Sequence, residues 1–327
     1  MAHDGSQDNP FAVPGAPAPT VGWYDVNGCR LYAEVRGTGP SLLIIGAASD
    51  DTEMFRPIAE RLTGFSRAAE STGVAGFTVV TWDPRGTGRS SRHGWPCDSH
   101  THADDAAALL TVLGLAPAAI FGASAGGIVA VRLAIRHPEL VRQVLVYEPG
   151  FFRSTGSGAA LLARTADAVT EHLRENPGDW SGAVAAVTRV AALDPAVTPN
   201  HSDAPGLGLL DAPPGLEWYT ERGAALAENF IRDDLPRTGE RLDFAALRAC
   251  DAELHFAFGT GSAPVFREIS EMLTRARHAA TPERRDSPDG ETHRPHGISG
   301  AAHLAYLTPG PIADYVRARC LPEPPHD

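Results

Sequence analysis

The sequence predicts an α/β protein, a doubly wound and mostly parallel sheet with a helical insertion. Three observations carry that reading. Short apolar runs alternate with helical stretches from residue 41 to residue 147, and again from 253 to 319. The run at 41–46 is continuously apolar, as a strand covered on both faces requires, 144–147 reads as another buried strand, and 77–82 as a strand between them. Between the two alternating blocks, residues 153–245 have helical spacing and no strand rhythm.

In chain order, residues 1–20 are rich in Asp, Gly, Gln and Pro and are expected to form a disordered arm. Residues 23–26 and 31–35 read as a hairpin, with Asn27-Gly28 as its turn. The buried strand 41–46 leads into Ala47-Ala48-Ser49-Asp50-Asp51 and a helix over 55–62. A loop or short helix over 63–75 precedes the strand 77–82, which ends in Asp83-Pro84-Arg85-Gly86-Thr87-Gly88-Arg89-Ser90. The glycines of that segment permit a tight return, and Asp83 and Arg85 are expected to brace it. Residues 104–113 read as a helix with Asp104 and Asp105 in its first turn.

The run Ala118-Ala119-Ile120-Phe121 then meets Gly122-Ala123-Ser124-Ala125-Gly126 and continues as a small-residue helix to His137, stopped by Pro138. A strand–turn–helix bend this tight has no room for side chains at the flanking positions, which are glycines here. Ser124 is expected in a strained conformation, its hydroxyl lifted above the strand end. The strand 144–147 ends in Glu148-Pro149-Gly150. The helical block 153–245, broken by a Pro/Gly/Asp-rich stretch over 194–215, is expected to sit over the strand ends as a cap or lid. Trp180, Trp218, Tyr219, Phe230 and Leu235 either line a pocket beneath it or form its own core. A strand at 253–259, a helix at 265–277, a polar loop at 281–296, a short strand leading to His303 and a helix at 310–319 complete the fold.

Length fits one large α/β domain or two small ones, and a hydrophobic content of 43% suffices for a sizeable core. The net charge is −12, and all 28 basic residues are Arg. No basic stripe occurs, so a nucleic-acid partner is not expected, and without Lys there is no Schiff-base chemistry. Cys29, Cys97, Cys250 and Cys320 lack paired spacing, which favours reduced thiols and a cytoplasmic protein. Neither a signal peptide nor a membrane span is expected. The expected partner is a small-molecule substrate, with a homodimer left open.

The Asp-x-Arg-Gly-x-Gly-x-Ser segment at 83–90, followed by Gly-x-Ser-x-Gly at 122–126, resembles the α/β-hydrolase superfamily. The resemblance covers roughly residues 22–150 and 246–319. It implies a core over 21–152 and 246–320 with a cap over 153–245. The run from Arg136-His137-Pro138 to Glu148-Pro149 is similar to bacterial serine hydrolases of the Gly-x-Ser-x-Gly type.

A serine nucleophile needs a base within reach, and thirteen histidines compete. His303 lies beyond a strand's carboxyl end, where sites form in open α/β sheets, and the resemblance implies the same residue. His100 and His102 with Asp104 also read as a metal cluster, although a polar surface explains them without a third ligand. No metal or cofactor is expected. The superfamily commonly carries the triad acid after the strand 253–259, but Gly259-Thr260-Gly261-Ser262 offers no carboxylate. Glu148, at the end of the preceding strand, is the alternative acid to orient His303. The backbone N–H groups of Ala125 and Ala47 are the expected oxyanion donors. Together these residues imply a serine hydrolase that cleaves a small to medium, largely apolar ester, lactone or thioester through an acyl-enzyme on Ser124. The alternatives are non-hydrolytic chemistry on the same fold, such as cyclase, C–C bond or haloperoxidase-like reactions, and a ligand-binding protein that has lost catalysis.

Overall fold

The structure, a computed structural model, describes residues 11–63, 76–194, 217–279 and 294–320. The expected connection 63–75, the stretch 194–215 and the loop 281–296 fall largely outside these residues; the tail 321–327 does so wholly. Residues 11–20 depart from the expected disordered arm. The Val13 N–H donates to Glu60 Oε2 at 2.7 Å, the Phe11 carbonyl accepts from Arg61, and Thr20 already opens a strand.

That strand, β1 (Thr20–Val26), pairs with β2 (Cys29–Arg36) as an antiparallel hairpin. Val26 faces Cys29, which leaves Asn27 and Gly28 alone in the turn with φ of 47° and 71°. Two successive positive φ values are what this turn demands and what Asn-Gly supplies. The other strands are β3 (Ser41–Ile45), β4 (Thr78–Asp83), β5 (Ala118–Ala123), β6 (Val141–Tyr147), β7 (Glu253–Gly259) and β8 (His296–Ile298). They form one sheet in the order β1-β2-β4-β3-β5-β6-β7-β8, parallel from β4 to β8. β5, in the middle, is buried at every position.

Helices cover both faces. On one, α2 (Ser99–Leu113), α3 (Ala125–Arg136) and α8 (Pro264–His278) pack Ala106, Leu110, Ile128, Leu133, Phe266 and Leu273 against the strands. On the other, α1 (Thr52–Leu62) and α9 (Pro309–Cys320) contribute Phe55, Ile58, Ile312 and Val316. Each of these side chains is essentially inaccessible, and full burial of such a side chain contributes about 1.5–3 kcal/mol before entropy is counted.

α2 begins five residues earlier than expected. Asp98 caps it, accepting from the Thr101 N–H at 2.8 Å, so Asp104 and Asp105 lie beyond the first turn. Their charges are matched by side chains rather than by the helix dipole. Asp104 pairs with Arg136 at the end of α3 and with His137 just beyond it. Asp105 is fully buried and takes a bidentate pair from Arg85 at 2.9 and 2.7 Å. Arg85 thus braces the loop after β4, and Asp83 accepts from the backbone N–H groups of Thr52 and Arg89.

Between β6 and β7 lie α4 (Gly156–Glu175), α5 (Trp180–Ala192), α6 (Glu217–Ala225), a run over 227–238 that passes through a π turn at Phe230–Asp234, and α7 (Phe244–Ala249). Val169, Val184, Val187, Phe230 and Ile231 form a separate small core there, and Trp180 packs against it. Among the described residues no helix is long and apolar enough to cross a membrane.

Candidate active site

The bend between β5 and α3 holds Ser124 at φ 51° and ψ −117°, a conformation that non-glycine residues rarely adopt. The crowding around it is backbone crowding. A Cβ on Gly126 would lie 2.1 Å from the Gly46 carbonyl oxygen, and one on Gly122 would lie 2.6 Å from Ala130 Cβ. Ser124 is pinned from both sides: its N–H donates to the Tyr147 carbonyl at 2.9 Å, and its own carbonyl accepts from Gly127 and Gly150. The Ala125 N–H, at the start of α3, has no acceptor among the described residues.

Glu148 follows β6 directly, wholly buried and also at positive φ, 47°. Its N–H donates to the Ala257 carbonyl, which locks the backbone to β7. One carboxylate oxygen, Oε1, accepts from the Gly259 N–H at 2.7 Å. The other, Oε2, lies 2.7 Å from His303 Nδ1. The structure therefore brings Glu148 and His303 together across 155 residues of sequence. Gly259, where a carboxylate was missing, supplies instead the N–H that holds one. Phe266 stacks on the imidazole with centroids 3.9 Å apart and planes within 10°. A ring held by a hydrogen bond on one atom and stacking on one face has little rotational freedom left.

Ser124 and His303 line one cavity of about 70 Å³. Its walls are mostly apolar. Phe152, Leu161, Leu162, Val187, Phe230 and Leu235 come from the segment between β6 and β7, and Tyr306 from the loop before α9. Of the two places the sequence leaves open for them, pocket wall or core of the segment, Phe230 and Leu235 take both. Trp180 belongs to the small core of that segment, and the side chains of Trp218 and Tyr219 lie outside the described residues. Leu161, Leu162 and Thr165 were not anticipated, yet their spacing of one and four on α4 marks one helical face. Ser124 Oγ makes no hydrogen bond among the described residues, and His303 bonds through Nδ1 alone, so Nε2 is unengaged.

The loop after β3 differs from expectation. The Ala47 N–H, the expected second oxyanion donor, donates to Asp50 Oδ2 at 2.9 Å. Asp50 is 4% exposed and lines the same cavity. Burial pushes its carboxyl well above the usual range, and the nearby Asp51 and Asp234 add to the effect. Asp234 accepts from the Ser49 N–H and pairs with Arg237; burial, despite that guanidinium, pushes it up to about 7. The only sign of this in the sequence was a carboxylate three residues past Ala47.

His102 is not on a polar surface. It is 1% exposed, and its Nε2 lies 2.8 Å from Asp233 Oδ2 and 3.3 Å from Cys97 Sγ. His100 and Asp104 take no part. The ligand atoms of Cys97, His102 and Asp233 lie within 4.8 Å of one another. Arg237 already neutralises Asp233, and burial pushes the Cys97 thiol up to about 12, so the arrangement suits a hydrogen-bonded tie better than a cation.

The family described as the alpha/beta hydrolase fold matches residues 40–177. Among curated proteins, the uncharacterised hydrolase YraK of Bacillus subtilis is 34% identical over 132 residues, 39% of this chain and 44% of that protein. A 2-(acetamidomethylene)succinate hydrolase of Mesorhizobium japonicum is 28% identical over 140 residues, 43% of this chain and 46% of that protein. The match thus spans less than half the length of either relative. Among solved structures, a thermophilic esterase from Thermogutta terrifontis superposes with a TM-score of 0.60 over 91% of this chain and 97% of that one, at 19% identity. A comparison of sequence and a comparison of backbone thus converge on the architecture derived above: residues 40–177 match the alpha/beta hydrolase family, and the chain has the α/β-hydrolase fold.

Proposed function

We propose that this protein is a serine hydrolase that cleaves esters, lactones or thioesters carrying a short, apolar acyl group. One observation carries the reading: Ser124 and the Glu148-held ring of His303 line the same apolar cavity. In this mechanism Ser124 Oγ attacks the carbonyl carbon while His303 Nε2 accepts its proton. Glu148, accepting from Nδ1, holds the ring in the tautomer that leaves Nε2 free and stabilises the imidazolium that forms. The Ala125 N–H faces the developing oxyanion. His303 returns the proton to the leaving group, and water, activated by the same imidazole, releases the acyl group.

The helices between β6 and β7 act as a cap that sets the acyl pocket. A cavity of about 70 Å³ is smaller than the roughly 150 Å³ void that accepts a benzene, so acyl groups of a few carbons fit best. The hydrolase names of the curated relatives and the esterase built on the same fold support hydrolysis over other chemistry.

The test is a fluorophosphonate probe with mapping of the adduct, followed by a series of p-nitrophenyl esters. Labelling at Ser124, its loss in His303→Ala, and turnover that falls from acetate to octanoate are expected. An unlabelled wild-type protein would overturn the reading in favour of a ligand-binding role.

A further inference from the structure

A tetrahedral intermediate needs two donors, and the structure leaves one backbone donor engaged. The Ala47 N–H, which the position after β3 offers for this purpose, ends on Asp50 Oδ2. That contact belongs to a built turn: the Asp50 N–H donates back to the Ala47 carbonyl at 3.3 Å, and Ser49 between them sits at φ 60° with its N–H on Asp234. Asp50 is therefore fixed in the wall of the cavity that Ser124 and His303 also line. Its second oxygen, Oδ1, has no partner among the described residues.

We propose that the Asp50 carboxyl O–H is the second oxyanion donor of this site, in place of the Ala47 N–H. The proposal rests on the serine hydrolase reading above. Oδ2 accepts the Ala47 N–H, so the proton resides on Oδ1, the oxygen free to face the substrate. The charged surroundings agree. Asp51, tied to Arg222, and Asp234, tied to Arg237, both disfavour a further negative charge at Asp50, and burial disfavours it more strongly. Across the cavity, the titratable groups that line it are the Tyr306 phenol and His303, the latter already matched by Glu148. A carboxylate at this position would repel an oxyanion; a carboxylic acid stabilises one, as an aspartic acid held neutral by an apolar site does in ketosteroid isomerase.

In the acylation step the Oγ–carbon bond forms as the carbonyl π pair moves onto oxygen, and the serine proton passes to His303. The oxyanion accepts from the Ala125 N–H and from Asp50 Oδ1–H. When the carbonyl re-forms, the bond to the leaving group breaks and that group takes the proton from His303. Asp50 keeps its proton throughout.

The experiment compares wild type, Asp50→Ala, Asp50→Asn and Ser124→Ala in p-nitrophenyl acetate turnover from pH 6 to 10, with melting midpoints and fluorophosphonate labelling alongside. Asp50→Ala is expected to lower kcat roughly 10²–10³-fold, the loss typical of one oxyanion donor, with KM changed less than about threefold. Asp50→Asn restores kcat to within about tenfold of wild type, because its amide still accepts from Ala47 and still donates. The wild-type kcat falls at alkaline pH as Asp50 loses its proton, and Asp50→Asn lacks that fall. Wild-type kcat in Asp50→Ala, with the freed Ala47 N–H taking over, overturns the proposal. If Asp50→Ala does not fold, persistence of the alkaline fall in Asp50→Asn overturns it instead. Labelling of Ser124 in wild type separates the two readings: with labelling, a negative result removes Asp50 alone; without it, both fall.

Discussion

Glu148 bonds two partners through two different oxygens, and that division predicts how it fails. In Glu148→Gln the Gly259 N–H keeps the amide oxygen, since only oxygen accepts. The amide nitrogen then faces His303 Nδ1 as a donor, which moves the ring proton to Nε2, the atom proposed above to accept from Ser124. Volume and backbone are preserved. A fall in kcat of about 10²–10⁴-fold with little change in melting midpoint is expected, in line with a wrong-tautomer defect. A near wild-type rate would remove Glu148 from the proposed machinery. At this scale much of the site was legible. Gly122 and Gly126 around Ser124 announced backbone crowding, and Ser124 has the strained conformation they imply. Glu148 was legible from its place at a strand end. The engagement of Ala47 was not, because it depends on how a four-residue turn closes, and no periodicity encodes that.

The segment over 227–240 is held to the loop between β4 and α2 and to the first turn of α2 by polar contacts, and this is where sequence reading was thinnest. Asp233 takes His102 Nε2, the Cys97 N–H at 2.8 Å and Arg237. Burial opposes its charge, but these donors hold its carboxyl below the usual range. The Asn229 amide donates to the Gly86 carbonyl at 2.6 Å, and Glu240 accepts from the Ser99 N–H at 2.8 Å. His102→Ala removes one strong contact and is expected to cost about 1–3 kcal/mol in chemical denaturation. It also speeds proteolytic cleavage within 217–240, because that segment loses a tie to the core. Unchanged cleavage with reduced global stability would mean that His102 only fills space. Partners 131 residues apart are invisible to local pattern. Local pattern did find β7, since Leu254, Phe256 and Phe258 alternate along it and Gly259 closes it. It placed the start of α2 too late because Ser99, His100, Thr101 and His102 are weak helix formers, and the cap at Asp98 decides the matter.

Across the whole molecule, the buried carboxylates set how stability depends on pH. Asp50 lines the cavity after β3, Asp234 holds the same loop through the Ser49 N–H, and Asp83 lies under the neighbouring loop; in each, burial raises the pKa. An unfolded aspartate titrates near 3.9. Between about pH 4 and pH 7 the native Asp234 therefore holds a proton that the unfolded chain has released. Its contribution to stability is complete below that window and is lost as pH rises through about 7. Asp233, Asp98 and Glu34, held low by their partners, act oppositely: their contribution is present above the unfolded pKa and is lost as pH falls through the lowered one. The two sets operate in different ranges, so stability peaks in mildly acid solution and declines towards pH 8. Asp234→Asn tests this directly. Its amide oxygen still accepts from Ser49, Arg237 retains Asp233, and nothing at that position ionises. Discounting the full shift by about half for relaxation leaves roughly 2 kcal/mol. The wild-type midpoint is then expected to fall by about 3–5 °C between pH 5 and pH 8. The variant should lose most of that fall, and equal slopes in the two proteins would show that the pH dependence originates elsewhere in the fold.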